Sequence, residues 1–256
     1  MDSDSFLEMS RFEKNHWWFC GRRKIIDLFL KKIELKKNAE ILEIGCGTGS
    51  NLNMLKNYGF VSAIEPSEEA IHYLKKKDLT SVNFNKGKCP EDLDFENRFD
   101  LICMFDVLEH IDEDSETLSK TIKGLKNNGR LFITVPAYQW LWSQHDINLM
   151  HKRRYNSNTL KNLIKNFDIK IEHITHFNTI LFPLALLDRI IQKIIKNNNK
   201  NNKFPNYFLN SLFKIIFNFE KILLRFFYFP FGLSLLLIIK KVQPGDHFGG
   251  ANSKSL

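Results

Sequence analysis

The chain has 256 residues and a formal net charge of +8. Its hydrophobic fraction of 43% and charged fraction of 26% are ordinary for a soluble globular protein, which excludes a disordered or collagen-like chain. The charge excess is confined to residues 186–241, where ten Lys and Arg stand against Asp188 and Glu220. Because a nucleic-acid enzyme usually carries its basic residues around the catalytic cleft, we expect no nucleic-acid partner.

Helical and strand-like segments alternate over the first half of the chain. Apolar spacing predicts a helix over 22–36 and another over 50–57, and Pro66 and Ser67 begin a third. Short apolar runs predict strands at 39–44, 60–64, 82–84, 99–104 and 130–135. This alternation predicts a mainly parallel sheet covered by helices on both faces.

The pattern changes in the second half of the chain, although we predict a single domain over 1–241. An aromatic and polar segment over 137–166 ends in a helix capped by Asn156 or Ser157, and a strand follows at 169–177. Two helices at 179–196 and 206–228 form an insertion over 178–230, before a final strand at 232–240. The asparagine-rich residues 197–203 and the tail over 242–256 are predicted to be flexible.

The richest segment places a strand, a glycine turn and a helix start in succession. Gly45, Gly47 and Gly49 let the backbone turn sharply and let a ligand approach closely. Glu65 ends the next strand, where a carboxylate can accept both hydroxyls of a ribose. The glycine spacing is G-x-G-x-G, whereas a dinucleotide site needs G-x-G-x-x-G. Glu43 also favours a cationic ligand over phosphates, although a glycine turn without any ligand remains the alternative.

Four segments together resemble class I S-adenosylmethionine-dependent methyltransferases. Residues 43–49 look like their first motif, and Glu65-Pro66-Ser67 looks like the ribose-binding second motif. Residues 99–111 resemble their fourth strand, and 125–136 resemble the helix-turn-strand that follows. The resemblance implies a doubly wound, Rossmann-like sheet of seven strands in the order 3-2-1-4-5-7-6, with the last strand antiparallel.

The resemblance also implies which residues hold the cofactor, S-adenosylmethionine. The glycine loop would hold its methionine part, Glu65 its ribose, and Asp106 would line the same pocket. Lys88 and Cys89, just after the third strand, fall where the family often contacts adenine. This segment departs from the common Gly-Asp-Ala form. The predicted cofactor residues are Glu43, Gly45, Cys46, Gly47, Gly49, Glu65, Lys88, Cys89, Asp106 and Arg23.

The N-terminal segment, a helical cap over 1–38, has two interpretations. His16-Trp17-Trp18-Phe19 is followed by Arg22 and Arg23. Two tryptophans at this spacing can simply pack on the core. A bacterial subgroup of these methyltransferases has a similar start, and by that likeness the segment closes over the cofactor while an arginine, Arg23, holds its carboxylate.

The segment after the fifth strand is predicted to be a substrate lid, because sites of α/β proteins open at the carboxyl edge of the sheet. Similar Trp-Ser-x-His-Asp and His-x-Arg-Arg-Tyr patterns occur in the same subgroup. His145 and His151 are candidate bases for an alcohol acceptor. Trp142, Arg154 and Tyr155 are candidate substrate contacts. A surface loop with solvated basic residues is the alternative.

Asp106, Glu109 and His110 form one further set. Ubiquinone-pathway O-methyltransferases carry two glutamates and a histidine at matching spacing, and some bind a divalent ion there. We predict no metal, with the three residues serving as cofactor pocket and helix cap.

The C-terminal helices combine the basic excess with a wide apolar arc. Asn210, Lys214, Asn218, Lys221 and Arg225 recur at helical spacing and predict one narrow polar stripe. The rest of that helix can pack on the core, form a homodimer or contact an anionic membrane surface.

The leading hypothesis is an O-methyltransferase for a small molecule or a lipid-linked glycan. A non-catalytic binding protein of the same fold is the alternative, and an RNA methyltransferase is disfavoured by the neutral first 185 residues. The polar start with Asp2, Asp4 and Glu8 lacks an export pattern, and four unpaired cysteines suit a reducing compartment. We therefore expect a cytoplasmic protein, and peripheral contact with the inner face of the membrane is one of the alternatives for its C-terminal helices.

Overall fold

Seven strands form one sheet in the computed structural model, which describes residues 10–77, 79, 81–195 and 206–242. The strands are β1 (Ala39–Ile44), β2 (Gly59–Glu65), β3 (Val82–Lys86), β4 (Phe99–Phe105), β5 (Leu125–Pro136), β6 (Ile169–Phe177) and β7 (Ser234–Lys241). Their order is β3-β2-β1-β4-β5-β7-β6. The first five run parallel, whereas β7 is antiparallel to both β5 and β6. The predicted fold and strand order are confirmed.

Eight α-helices connect and cover the strands within the described part of the chain, besides a helical turn at 10–15. They are α1 (Trp17–Leu30), α2 (Leu52–Leu55), α3 (Glu68–Lys75), α4 (Asp114–Gly124), α5 (Gln144–Asn148), α6 (Ser157–Ile164), α7 (Phe182–Ile195) and α8 (Tyr207–Leu223). Short 3-10 helices occupy Leu108–His110 and Gln139–Leu141.

Side-chain caps explain where several helices begin. Helix α1 starts earlier than the predicted 22–36 because the His16 side chain accepts a hydrogen bond from the Trp18 amide at 3.3 Å. The predicted starts at Ser67 and Asn156 agree with the structure, where each side chain caps the following helix. Helix α2 covers only the middle of the predicted 50–57. The predicted loop over 197–203 and all but the first residue of the predicted tail lie outside the described residues.

Apolar side chains fill both faces of the sheet. Successive residues of a strand point to opposite faces, so Ile41, Leu101 and Phe132 join one core cluster with α1 and α8. Leu42, Ile102 and Ile133 join a second cluster on the other face, together with α4 and α6. This two-sided burial explains why β1, β4 and β5 read as continuous apolar runs.

Helix α8 packs tightly against α1 on the first face. The Trp17 ring lies 5.1 Å from Phe213 and 5.4 Å from Phe217, between ring centroids. A Cβ atom on Gly21 would lie 2.2 Å from Cδ1 of Phe217, so only glycine allows this approach. The two tryptophans therefore pack on the core, as the first of the two interpretations expects.

Candidate functional site

Three strands, β1, β2 and β4, deliver the glycine loop, Glu65 and Asp106 to one edge of the sheet. The Gly45 amide donates to the Ile64 carbonyl at 2.8 Å, which joins the ends of β1 and β2. The Asp106 amide donates to the Thr134 carbonyl at 2.9 Å, which joins the ends of β4 and β5. The glycine loop, Glu65 and Asp106 thus meet at the carboxyl edge, where ligands of such sheets bind.

The glycine loop forms an open cradle. Gly45, Gly47 and Gly49 have φ angles of +70°, +52° and +73°, a region that side chains strongly disfavour. A Cβ atom on Gly47 would meet nothing within 4 Å, whereas one on Gly45 would lie 2.6 Å from Val107 Cγ2. The loop therefore borders free space at Gly47, and any side chain there would occupy that space.

Glu65 ties the end of β2 to this loop. One carboxylate oxygen, Oε2, accepts a hydrogen bond from the Gly47 amide at 2.8 Å, and Oε1 accepts one from the Ser67 amide at 3.1 Å. A carboxylate oxygen has further acceptor capacity beyond one such bond. Glu65 can therefore hold the loop and still accept the hydroxyls of a ligand.

Glu43 lies beneath the loop and is only 1% exposed. Its Oε1 accepts from Asn51 Nδ2 at 2.7 Å, and its Oε2 has no hydrogen-bond partner within the described protein. Burial raises the pKa of Glu43 to about 7. Cys46, in the loop itself, is also buried, and its burial raises the pKa of the thiol. An under-satisfied buried carboxyl next to an open cradle suits a cationic ligand.

The N-terminal segment reaches across the glycine loop. The Glu13 carboxylate accepts a hydrogen bond from the Thr48 hydroxyl, and Lys77 Nζ donates to the Thr48 carbonyl at 2.7 Å. Arg22, on α1, forms an ion pair with Asp106. Asp106 has a φ of +56° and also accepts from the Thr134 hydroxyl at 3.2 Å. These contacts connect the cap to the first and fourth strands.

Arg22 is the arginine that reaches Asp106, whereas the predicted ligand-binding residue, Arg23, donates to the Glu13 carbonyl at 2.9 Å. Arg22 Nε and Arg23 Nη1 are both buried without a hydrogen-bond partner in the described protein. Either guanidinium retains a donor for a carboxylate, so the role of Arg23 stays a prediction. Two residues of this site were not predicted from the sequence: Glu13, which no motif marks, and Thr48, which lies inside the recognised loop.

Lys88 and Cys89 follow β3. The Lys88 ammonium is exposed and pairs with Glu91 at 3.0 Å. Cys89 packs against the second core cluster, and burial raises the pKa of its thiol to about 12. Their contact with adenine stays a prediction.

Asp146 organises the interior of the predicted lid. Its fully buried carboxylate accepts from Arg154 Nε at 2.7 Å and Nη2 at 3.0 Å, and from the Ser143 amide at 2.9 Å. His151 Nδ1 lies 2.9 Å from the same carboxylate. Burial opposes ionisation, but the hydrogen bonds from His151 and Arg154 outweigh it and hold the pKa of Asp146 well below its usual range. Asp146 is therefore a permanent anion.

The basic residues of this segment form ion pairs, although the Lys152 ammonium is exposed where it pairs with Asp112 at 3.0 Å. The Lys152 amide donates to the Glu109 carbonyl at 2.7 Å, and Arg153 pairs with Asp114 at 2.8 Å. The Tyr155 hydroxyl donates to Asp114 at 2.8 Å. Arg154 and Tyr155 are buried in this framework and Trp142 is half-buried, so their contact with a substrate stays a prediction.

The two candidate bases differ in their surroundings. His151 Nδ1 faces Asp146, and the ring lies 4.7 Å from the ring of His110. When the nitrogen facing Asp146 carries the proton, Nε2 is left as an acceptor. His145 lies on α5 and is exposed. Only His151 therefore has the carboxylate contact that orients a general base.

His151 also belongs to a cluster that could hold a metal ion. Glu109, His110 and His151 each offer a ligand atom, and these atoms lie within 4.8 Å of one another. Asp106, from the predicted set, pairs with Arg22 instead. Glu109 is fully buried, and burial together with the nearby Asp106 raises its pKa well above the usual range. A metal would have to displace that proton.

Comparisons with known proteins agree with this geometry. A sequence model described as a methyltransferase domain matches residues 15–174. A ubiquinone biosynthesis O-methyltransferase of Rickettsia typhi is 29% identical over 154 residues, covering 52% of this chain and 62% of that enzyme. The chain thus spans less than two thirds of that relative.

Solved structures show the same fold at low sequence identity. A Haloferax volcanii methyltransferase in complex with the Trm112 activator superposes with a TM-score of 0.62 at 15% identity, covering 95% of this chain and 97% of that one. A SAM-dependent methyltransferase from Archaeoglobus fulgidus gives a TM-score of 0.53 at 20% identity, covering 86% and 94%.

Proposed function

Because this chain belongs to the methyltransferase-domain family and uses S-adenosylmethionine, we propose that it methylates a hydroxyl oxygen of a small molecule or a lipid-linked glycan. The observation that carries the proposal is the pairing of His151 with the buried Asp146 near the end of β5. The similarity to a ubiquinone biosynthesis O-methyltransferase supports an oxygen acceptor.

The residues at the sheet edge suit the cofactor. The open space at Gly47 can admit its methionine part, and the carboxylate of Glu65 can accept the ribose hydroxyls. Glu43 offers an unsatisfied oxygen to positive charge, and Asp106 borders the same edge. When bound, the cofactor supplies an electrophilic methyl group on a sulfonium.

His151 serves as the base in this proposal. Its Nε2 would accept the hydroxyl proton when the acceptor oxygen takes the methyl group and the methyl–sulfur bond breaks to leave a neutral thioether. The adjacent anion of Asp146 would stabilise the resulting imidazolium. Arg154 and Ser143 hold Asp146 in place through the hydrogen bonds described above. The remaining contribution is positioning, which brings acceptor and methyl donor into line.

A methyl-transfer assay tests the proposal against the alternative of a non-catalytic protein of the same fold. The purified chain is incubated with extracts of its source cells and methyl-labelled S-adenosylmethionine, and small molecules and lipids are examined by mass spectrometry. We expect a labelled compound that gains one methyl group on oxygen. Cofactor binding without any labelled product would favour the non-catalytic protein.

The pKa of Glu43 predicts how cofactor affinity depends on pH. A cationic cofactor prefers the ionised carboxylate, which predominates only above about pH 7. We expect affinity, measured by calorimetry, to rise by up to about tenfold per pH unit below pH 7 and to level off above it. The sign is opposite for the free protein, whose stability falls between about pH 4.5 and 7, because the carboxyl ionises there in the unfolded chain while the buried Glu43 keeps its proton.

Glu43→Gln provides the matched control, because its amide oxygen still accepts from Asn51 while the charge is lost. The cofactor's own groups titrate identically with both proteins. The difference between the two pH profiles therefore isolates Glu43, and an identical slope in the variant would rule out this role.

A further inference from the structure

Helix α8 and the turn that follows it at 224–226 carry a long apolar stripe on their exposed side. Its members repeat at spacings of three and four residues and are between 39% and 74% exposed: Phe208, Leu212, Ile215, Phe219, Ile222 and Phe226. At the rise of an α-helix the stripe is about 27 Å long. An exposed apolar patch of this size usually marks a binding surface.

The stripe is not the face that joins the core. The opposite side of α8 is buried, with Phe217 in the core and Asn210 accepting from the Trp17 amide at 2.8 Å. The Asn218 side chain likewise accepts from Lys24 Nζ at 2.7 Å. The five residues of the predicted polar stripe lie along one side of the helix, but Asn210 and Asn218 bond there to the N-terminal cap instead of facing solvent. The apolar residues are divided between the core and the surface.

Positive charge borders the stripe without exposed negative charge on the same helix. Lys214, Lys221 and Arg225 lie on one flank, about 100–140° round the helix axis from the stripe. The carboxylate of α8, Glu220, is fully buried and accepts from the amides of residues 178–180. The exposed side of α8 is thus apolar, and its nearest cations are the exposed Arg225 and the half-buried Lys214 and Lys221.

We propose that this side of α8 docks on an anionic phospholipid surface. An interfacial helix combines an apolar face with flanking cations in this way. A symmetric dimer through the same stripe is the competing occupant, and light scattering of the Phe219→Asp variant distinguishes it below. No helix among the described residues is long and apolar enough to cross a membrane.

The apolar surface continues from the end of α8 toward the lid. Phe226, Phe227 and Tyr228 are exposed, and Phe231 follows them at 46% exposed. The Phe231 ring lies 5.7 Å from Phe182, which in turn lies 6.2 Å from the exposed Trp140. Docking through α8 therefore brings the lid close to the lipid surface. If the proposed function holds, this placement favours an acceptor carried in the bilayer.

Vesicle flotation with the full chain tests the docking surface. We expect binding to phosphatidylcholine vesicles that contain about a quarter phosphatidylglycerol, and little binding to phosphatidylcholine alone. Phe219→Asp should weaken binding by about tenfold or more, because the variant loses an aromatic side chain that the lipid would bury. It also adds a negative charge that the anionic lipids repel. Arg225→Gln should weaken it by about fivefold, the effect of one basic residue near an anionic surface.

The control is Phe60→Asp, which makes the same change at an equally exposed phenylalanine on β2. Side chains alternate between the two faces of a strand, and the neighbouring Val61 points to the sheet face that α8 covers. The Phe60 side chain therefore points to the other face, so we expect wild-type binding. Equal, negligible flotation of folded wild type with both vesicles would overturn the proposal. So would a two-copy particle in light scattering that Phe219→Asp converts to one copy. Neither readout needs methyl transfer, so failure here leaves the proposed function intact.

Discussion

We expect His151→Ala to lower turnover by about 10²–10⁴-fold while cofactor affinity stays unchanged. The variant removes the nitrogen that accepts the acceptor's proton but leaves the glycine loop and Glu65 untouched. The reason to choose His151 is its 2.9 Å contact with Asp146, whose pKa is held well below its usual range by its hydrogen bonds. Initial rates with the identified acceptor, together with calorimetry of the cofactor, separate the two effects.

His145→Ala is the matched control, because it removes an exposed imidazole from the same segment without touching Asp146. We expect close to wild-type turnover from it. Normal turnover of His151→Ala on the true acceptor would exclude the catalytic role. Treatment with a chelator distinguishes a base from a metal ligand. If the wild type loses activity with the chelator and recovers it with a divalent ion, His151 is a metal ligand together with Glu109 and His110.

Glu65→Ala should weaken binding of S-adenosylmethionine by about 3 kcal/mol, on the order of a hundredfold. The substitution removes the acceptor for the ribose hydroxyls. It also releases the Gly47 amide, which Glu65 holds at 2.8 Å, so the loop loses part of its preorganisation. Calorimetric titration of both proteins measures the difference.

Glu68→Ala controls for the loss of a carboxylate near the same turn. Glu68 is exposed and pairs only with Lys86 among the described ion pairs, so we expect its removal to leave affinity within about twofold. Equal affinity of Glu65→Ala and wild type would remove Glu65 from the cofactor site.

Local patterns were sufficient to predict the sheet. The runs at β1, β4 and β5 are apolar on both faces, and the glycines between β1 and α2 mark the turn at which such sheets bind ligands. Ser67 and Asn156 were predicted as helix starts because a short polar side chain can cap the amides that follow. These features depend on neighbouring residues and are therefore visible in one sequence.

Contacts between distant residues were not visible in the same way. Glu13 contacts Thr48, which lies 35 residues further along the chain, and Arg22 contacts Asp106, which lies 84 residues further. Helical spacing on α8 showed how much of the helix is apolar, but not that Asn210 would turn inward to the Trp17 amide. Which side of an amphipathic helix is buried depends on the partner helix. Here α1 packs against the side of α8 that carries Phe213 and Phe217.

The most direct test of the central claim is a calorimetric titration of the wild-type chain with S-adenosylmethionine and, separately, with a nicotinamide dinucleotide. We expect saturable one-to-one binding of S-adenosylmethionine and no binding of the dinucleotide, because the G-x-G-x-G loop and the buried Glu43 favour a cationic ligand over a pyrophosphate. Tight binding of the dinucleotide, or no binding of S-adenosylmethionine to folded protein, would contradict it.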